Sequence, residues 1–429
     1  MGRVVVVGGG LAGTSAAVRL AKLGHAVRLC EATGRVGGQL LPRRSDDHDF
    51  DLWPASLTMP ATLRDLFRKS GRPLDRVVDL HHLVPGRRHL MPGGVVLDLP
   101  MGRRGDQVDA INVALPGQGE VWAGWLDGRT DAWEALRRTT LDRRLAGRSD
   151  LDKAAWAALR PRRTLAREVR RALRDDSLAS LVVDPVRADG DDPRAVPAYT
   201  SVSHLVERSF GRWRVDGGAP ALVAALETRL RERRVEVLLG VRAHRAVVGD
   251  GAVRGVETDD GLLEADVVVW AAPDPDPDAS SGVPRMPAAR TLVRLAPGVE
   301  SLPAEVLVHT DPPLRLWASS SDPEGSRCWT IAHRTQGGED VLSALARVGL
   351  DVRAHVEHRE DLSPVDLVRA HGAAACGWHW SGWRSAFDRP GVGETVDGLL
   401  TVGVDAHPGP SPELVLMGTA AAAEAVGKA

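Results

Sequence analysis

The first forty residues limit what this chain can fold into more than any other stretch. Arg3–Val7 is a short β-branched run, Gly8-Gly9-Gly10-Leu11-Ala12-Gly13 follows at once, and Thr14–Leu23 has helical composition. Ala26–Cys30 reads as a second strand, ending on Glu31. Strand, glycine turn, helix and strand in that order make a βαβ unit carrying a dinucleotide fingerprint. Gly8 makes the tight turn, Gly10 lets backbone approach a pyrophosphate, and Gly13 lets helix and strand pack closely. The helix N-terminus, with Leu11 and Ala12 in it, offers free N–H groups to the anion. Glu31 suits a ribose with both hydroxyls free and repels a 2′-phosphate, which disfavours NADP.

Shortly after that acid come Ala32, Arg35 and a second glycine pair, Gly37-Gly38, followed by Gln39. The pair favours FAD over NAD, because such a loop lays another stretch of backbone against the same dinucleotide. Gln39 is a neutral amide and holds phosphate less strongly than a cation would, so affinity falls on the glycine loop and on Arg35 or Arg43.

At 429 residues the chain can bury one large or two ordinary cores, and 43% hydrophobic with 26% charged residues describes a soluble globular protein. A net charge of −2 predicts no general attraction to nucleic acid. Cys30, Cys328 and Cys376 contain no C-x-x-C pair, so neither a disulfide framework nor a metal site is expected. The chain starts directly on a strand and contains no run of about eighteen apolar residues, which predicts a cytoplasmic protein. Only Lys22, Lys69, Lys153 and Lys428 are lysines, so arginine carries the positive charge.

Further along, Phe50-Asp51-Leu52-Trp53-Pro54-Ala55-Ser56-Leu57-Thr58-Met59-Pro60 precedes a helix-like Ala61–Ser70. Asp192–Tyr199, Val206–Trp213 and Gly217-Gly218 with the helix Ala219–Arg233 follow, then the strand-like Val235–Leu239, Val241–Val247, Val253–Thr258 and Ala265–Ala272. Gly398–Gly409 ends in His407-Pro408-Gly409 and leads into a small-residue helix, Leu414–Val426. These segments resemble the phytoene desaturase family of FAD-dependent carotenoid oxidoreductases, in a short and divergent form. The resemblance implies an α/β fold: a discontinuous Rossmann-like FAD-binding domain of the glutathione-reductase type (1–75, 205–275 and 390–429) with an inserted α+β substrate domain (76–204 and 276–389). Asp274–Asp278 is the expected crossing linker.

The resemblance also implies which residues meet the cofactor: Val241 and Ala271 on the second return of the chain, and Gly403, Asp405, Pro412, Glu413 and Leu414 on the third. Trp53 stands where the family usually has glycine, and either forms an aromatic wall of the substrate cavity or fills part of the flavin site. His407 either bonds the flavin or moves a proton, or it is purely structural. Glu413, at the start of a helix aimed at the flavin, either opposes the helix dipole or caps the helix and faces water.

The implied activity is hydride transfer from a hydrophobic isoprenoid or polyene to flavin, as a desaturase, saturase or isomerase. A flavin amine oxidase is the alternative, with Gly377–Trp383 as an indole cage. A non-catalytic FAD- or lipid-binding descendant is a second alternative. Arg129–Arg174 holds fourteen Lys/Arg against six Asp/Glu, with Trp133 and Trp156 inside it and Trp122 and Trp125 just before. That stretch is either a solvated helical face or a peripheral contact with the inner face of the cell membrane. The sequence leaves the oligomeric state open.

Overall fold

The computed structural model describes residues 2–141, 145, 147–273, 282–320, 322, 327–334, 339–372, 376–391 and 396–429. The expected linker Asp274–Asp278 and, in the arginine-rich stretch, Asp142, Arg143 and Arg144 lie outside the described residues.

The N-terminal fingerprint folds into β1 (Arg3–Val7), α1 (Leu11–Lys22) and β2 (Ala26–Glu31). Four consecutive valines of β1 are almost fully buried, as in a central strand covered on both faces. The helix begins three residues before Thr14 because Gly10 is extended (φ −72°, ψ −172°) and hands over directly to helical backbone at Leu11. Later returns of the chain add β3 (Glu236–Leu239), β4 (Val267–Trp270) and β5 (Leu399–Thr401). The result is one parallel sheet ordered β5-β4-β1-β2-β3, with Val4 opposite Val267 and Val7 opposite both Trp270 and Cys30. Three distant parts of the chain therefore build a single sheet, and its discontinuity is physical.

Three further helices pack with α1: α2 (Ala61–Ser70), the helix Gly218–Glu232 and the C-terminal α3 (Pro412–Val426). Close approach is possible because the buried residues are small, with Ala16 and Ala17 of α1 and Ala422 and Ala423 of α3 in one core with Leu20, Leu63 and Leu66.

Beside a small three-stranded sheet (Ala243–Gly249, Ala252–Thr258 and Gly261–Glu264), the other large layer is a seven-stranded sheet. In spatial order it runs Val356–Leu362, Ala289–Leu295, Cys328–His333, Leu314–Ala318, Val306–Val308, Arg87–Leu90 and Val96–Leu99. Helices between Arg104 and Phe210 pack beside it around Trp122, Ile111 and Leu97. This sheet and its helices form the α+β part of the molecule. Trp122 and Trp125 stack on each other inside it, and the Trp122 Nε1–H donates to Gln107 at 3.1 Å. Both are core residues and do not lie on a surface facing headgroups; Trp133 and Trp156 are half-buried. Among the described residues, no helix is long and apolar enough to cross a membrane.

Candidate active site

The site forms where the parallel strands end. Backbone bonds tie their carboxyl ends together: Gly8 N–H to the Cys30 carbonyl (2.8 Å), Ala271 N–H to Val7 (2.8 Å), Val241 N–H to Glu31 (3.0 Å) and Val402 N–H to Trp270 (2.9 Å). The glycine pair joins in through Gly37 N–H, which donates to the Gly9 carbonyl at 2.8 Å. A crevice beyond the carboxyl ends of such strands is where doubly wound sheets bind ligands.

The glycines divide into two kinds. A Cβ on Gly13 would sit 1.8 Å from the Gly8 carbonyl oxygen, so Gly13 supports the turn from below and does not border the cavity. A Cβ on Gly10 would meet nothing nearer than the Gly38 Cα at 3.9 Å, so the space above Gly10 is free of protein. Gly10 also caps α1 without any side-chain bond, and no acid stands in the helix's first turn. First-turn N–H groups lack helical acceptors, so this end is open to an anion. Ser411, the N-cap of α3, has a buried hydroxyl with no hydrogen-bond partner among the described residues. An open glycine cradle, an uncapped helix end and an orphaned hydroxyl on one cavity are what an FAD site requires.

Glu31 is nearly buried and largely engaged. Its Oε2 accepts from Gly9 N–H (2.7 Å), and its Oε1 accepts from Thr33 N–H (2.8 Å) and the Thr33 hydroxyl (2.7 Å). A carboxylate has about four acceptor sites, so one remains for a ribose hydroxyl. Gly8, Gly10, Leu11, Ala12, Glu31, Ala32, Gly37, Gly38, Gln39, Val241, Ala271, Gly403, Asp405, Pro412, Glu413 and Leu414 all line one cavity of about 1300 Å³.

Arg35 is not among them. The Thr33 hydroxyl bonds both Glu31 and the Arg35 carbonyl, and the tight turn leaves the Arg35 side chain exposed and outside the cavity. Arg43 does line it, paired to Glu360 at 2.7 Å. Glu413 departs from the solvent-facing cap. Its Oε1 accepts from the Thr58 hydroxyl (2.8 Å) and its Oε2 from Thr58 N–H (3.3 Å), and the side chain is buried, because the first turn of α3 packs on the Thr58 segment.

Trp53 lines the cavity, edge-on to His371 (5.9 Å between ring centres), with the Arg290 guanidinium 5.0 Å over its indole. His407 Nε2 bonds the Thr140 carbonyl, fastening the loop after β5 to the end of the helix Thr130–Thr139. Asp405 is buried, and its carbonyl accepts from the Trp378 indole. In the Gly377–Trp383 segment, Trp380 and Trp383 line the cavity, with Tyr199 edge-on to Trp380 at 6.1 Å.

Several lining residues carry no local sequence signal. Arg87 and Arg212 bind Glu207 and Glu305 in a buried charge network: Arg87 Nη2 to Glu207 at 3.0 Å, Arg212 Nη1 to Glu207 at 2.7 Å, and Arg87 Nε to Glu305 at 3.3 Å. Burial pushes the Glu305 carboxyl up, but Arg212, Arg87 and Arg315 outweigh it and hold it at about 2. Burial pushes the neighbouring His204 down to about 4. Arg285, Arg290, Arg315 and Arg334 also enter the wall, from segments far apart in sequence.

The profile of the family described as "Flavin containing amine oxidoreductase" matches residues 11–333, about three quarters of the chain. A 4,4'-diapolycopene oxygenase of Methylomonas sp is 30% identical over 274 residues, covering 62% of this chain and 55% of that protein. A 4,4'-diaponeurosporene oxygenase of Staphylococcus aureus (strain MRSA252) is 28% identical over 273 residues, 62% and 54% of the two chains. The matches span about half the length of these curated relatives. Among solved structures, a putrescine oxidase variant superposes with a TM-score of 0.67 at 15% identity, covering 99% of this chain and 98% of that one. An oxidoreductase from Methanosarcina mazei gives 0.61 at 16% identity, covering 98% and 100%. At such identities the structural likeness speaks for the fold alone.

Proposed function

Because the chain belongs to the flavin-containing amine oxidoreductase family, with FAD as its cofactor, we propose that it oxidises or isomerises a long apolar isoprenoid or polyene. The observation that carries this reading is the cavity. Its roughly 1300 Å³ take in the cofactor site and a substrate space together, and away from the glycine loop the walls of that space are largely apolar, including Leu136, Leu145, Leu159, Val202, Trp383 and Phe387. A polyene matches such a wall through dispersion and stacking on indole. Two relatives at 28–30% identity are named as oxygenases of 4,4'-diapolycopene and 4,4'-diaponeurosporene, both polyenes, which supports the same substrate class.

In this reading the backbone around Gly10, Leu11 and Ala12 holds the pyrophosphate, and Glu31 accepts from the ribose. The Ser411 hydroxyl and the N-terminus of α3 face the reactive half of the cofactor. The bound flavin supplies the hydride acceptor. Trp53, Trp380 and Trp383 orient the chain of the substrate and keep water out. His407, bonded to Thr140, fixes the loop that closes this side of the site.

The amine oxidase reading finds less support in the residues. None of the four lysines lines the cavity, so the water-holding lysine common in those enzymes has no counterpart here. Anaerobic mixing of the FAD-loaded protein with a detergent-dispersed C30 polyene, and separately with putrescine or an aromatic amine, tests the assignment. Loss of the oxidised flavin's visible absorbance with the polyene alone is the expected result; bleaching only by an amine overturns it.

A further inference from the structure

Arg290 lies on the strand Ala289–Leu295, and Arg334 follows the strand Cys328–His333; the two strands pair, with Arg290 opposite Ala332. Both arginines line the large cavity. Arg290 is 5% exposed and lies against two indoles, 5.0 Å from Trp53 and 5.4 Å from Trp317. Its Nε donates to the Leu52 carbonyl (3.0 Å) and its Nη1 to those of Ala288 (2.6 Å) and Ala289 (3.3 Å). Arg334 donates from Nε to the Ala188 carbonyl (2.9 Å) and from Nη2 to those of Asp189 (2.6 Å) and Met286 (2.8 Å).

All these acceptors are neutral carbonyls. Among the described residues neither arginine has a carboxylate partner, and each keeps one terminal nitrogen, Nη2 of Arg290 and Nη1 of Arg334, without a protein acceptor. The nearby acids are already engaged, Asp191 by Arg285 at 2.6 Å and Asp189 by Arg315 at 3.3 Å. The network of Arg87 and Arg212 with Glu207 and Glu305 balances its own charge. Two guanidinium charges in this wall are therefore unmatched. Burial, reinforced by Arg334 and Arg315, pushes Arg290 down to about 10, still protonated at neutral pH. A buried cation without a counter-ion is costly, and a ligand anion removes that cost.

We propose that Arg290 and Arg334 form a carboxylate-binding pole of the substrate cavity, so that the substrate is a long apolar chain carrying a carboxylate at one end. Each arginine brings one N–H-bearing nitrogen without a protein acceptor to this wall, and a carboxylate has two oxygens to accept from them. Asp189 and Asp191 in the same wall disfavour a dianionic phosphate. This inference rests on the apolar-substrate reading above for the tail of the ligand and adds the head.

The test is isothermal titration of the FAD-loaded protein with oleate, oleyl alcohol and oleyl phosphate, each below its micelle concentration. Oleate is expected to bind about tenfold tighter than oleyl alcohol. Arg334→Met should bring the Kd values of oleate and oleyl alcohol within about threefold of each other. Because Arg290 is packed between indoles and its replacement can disturb folding, the acid-to-alcohol ratio in the unaltered protein decides the matter. Equal Kd values for oleate and oleyl alcohol overturn the carboxylate pole and leave the apolar reading standing. Binding of neither overturns both, and tighter binding of oleyl phosphate than of oleate overturns the monoanion assignment.

Discussion

Glu413 accepts two hydrogen bonds from Thr58, one from the hydroxyl at 2.8 Å and one from the backbone N–H at 3.3 Å, across 355 residues of sequence. The pair fixes the first turn of α3 against the segment that carries Trp53, on the wall of the cavity. Thr58→Val removes the shorter bond and leaves a buried carboxylate short of donors, which costs about 2–3 kcal/mol. Urea denaturation should show this loss, and Glu413→Gln, which removes the charge but keeps an acceptor for Thr58, should cost less.

Gly10 and Gly13 should fail differently. Gly10→Ala adds a methyl into space free of protein, so the apoprotein should melt as the parent does, while FAD affinity falls by about tenfold or more through the blocked backbone approach. Gly13→Ala drives a methyl into the Gly8 carbonyl, so it should lower apoprotein stability by about 1–3 kcal/mol or more and lose FAD as well. Thermal melts of apoprotein beside flavin-to-protein absorbance ratios separate the two.

His204 makes stability depend on pH. Unfolded, it takes up a proton near its ordinary 6.5; folded, burial delays this to about 4. The unfolded state therefore binds more protons between those values, and stability rises with pH across them. The contribution, about 3 kcal/mol at most, is complete above roughly pH 6.5 and is lost as pH falls toward 4. Urea midpoints between pH 4 and 7 should follow that slope, and His204→Gln should reduce it by about one proton. Part of the slope should persist, because burial also lowers His89, His333 and His371.

His407 should act as a fastening. With Nε2 bonded to the Thr140 carbonyl, His407→Ala should lower the urea midpoint by the equivalent of about 1 kcal/mol. The pH profile of flavin reduction should keep its shape. A profile that loses a limb in this variant would instead assign the ring to proton transfer.

The sequence by itself determined the glycine turn, the helix start and the acid that are expected to take the adenosine half of the cofactor. Turn, close approach, helix N-terminus and ribose acid are all local demands within Gly8–Glu31, and each is met by a residue type that few alternatives can replace. The glycine pair Gly37-Gly38 was legible for the same reason, since its positive φ values of +133° and +54° suit glycine. Arg35 was misplaced because the outward turn at Thr33 is set by hydroxyl bonds that no spacing rule encodes. Of the two readings of Glu413, the water-facing cap fails because the environment of this side chain depends on Thr58, a residue brought to it only by packing of α3 on the segment after Pro54. The charged part of the cavity wall was equally hidden: arginine is common throughout this chain, and nothing in the sequence separates Arg290 and Arg334 from the rest. Tertiary structure made that distinction, because it buried those two guanidinium groups on adjoining strands and paired the acids near them with other cations.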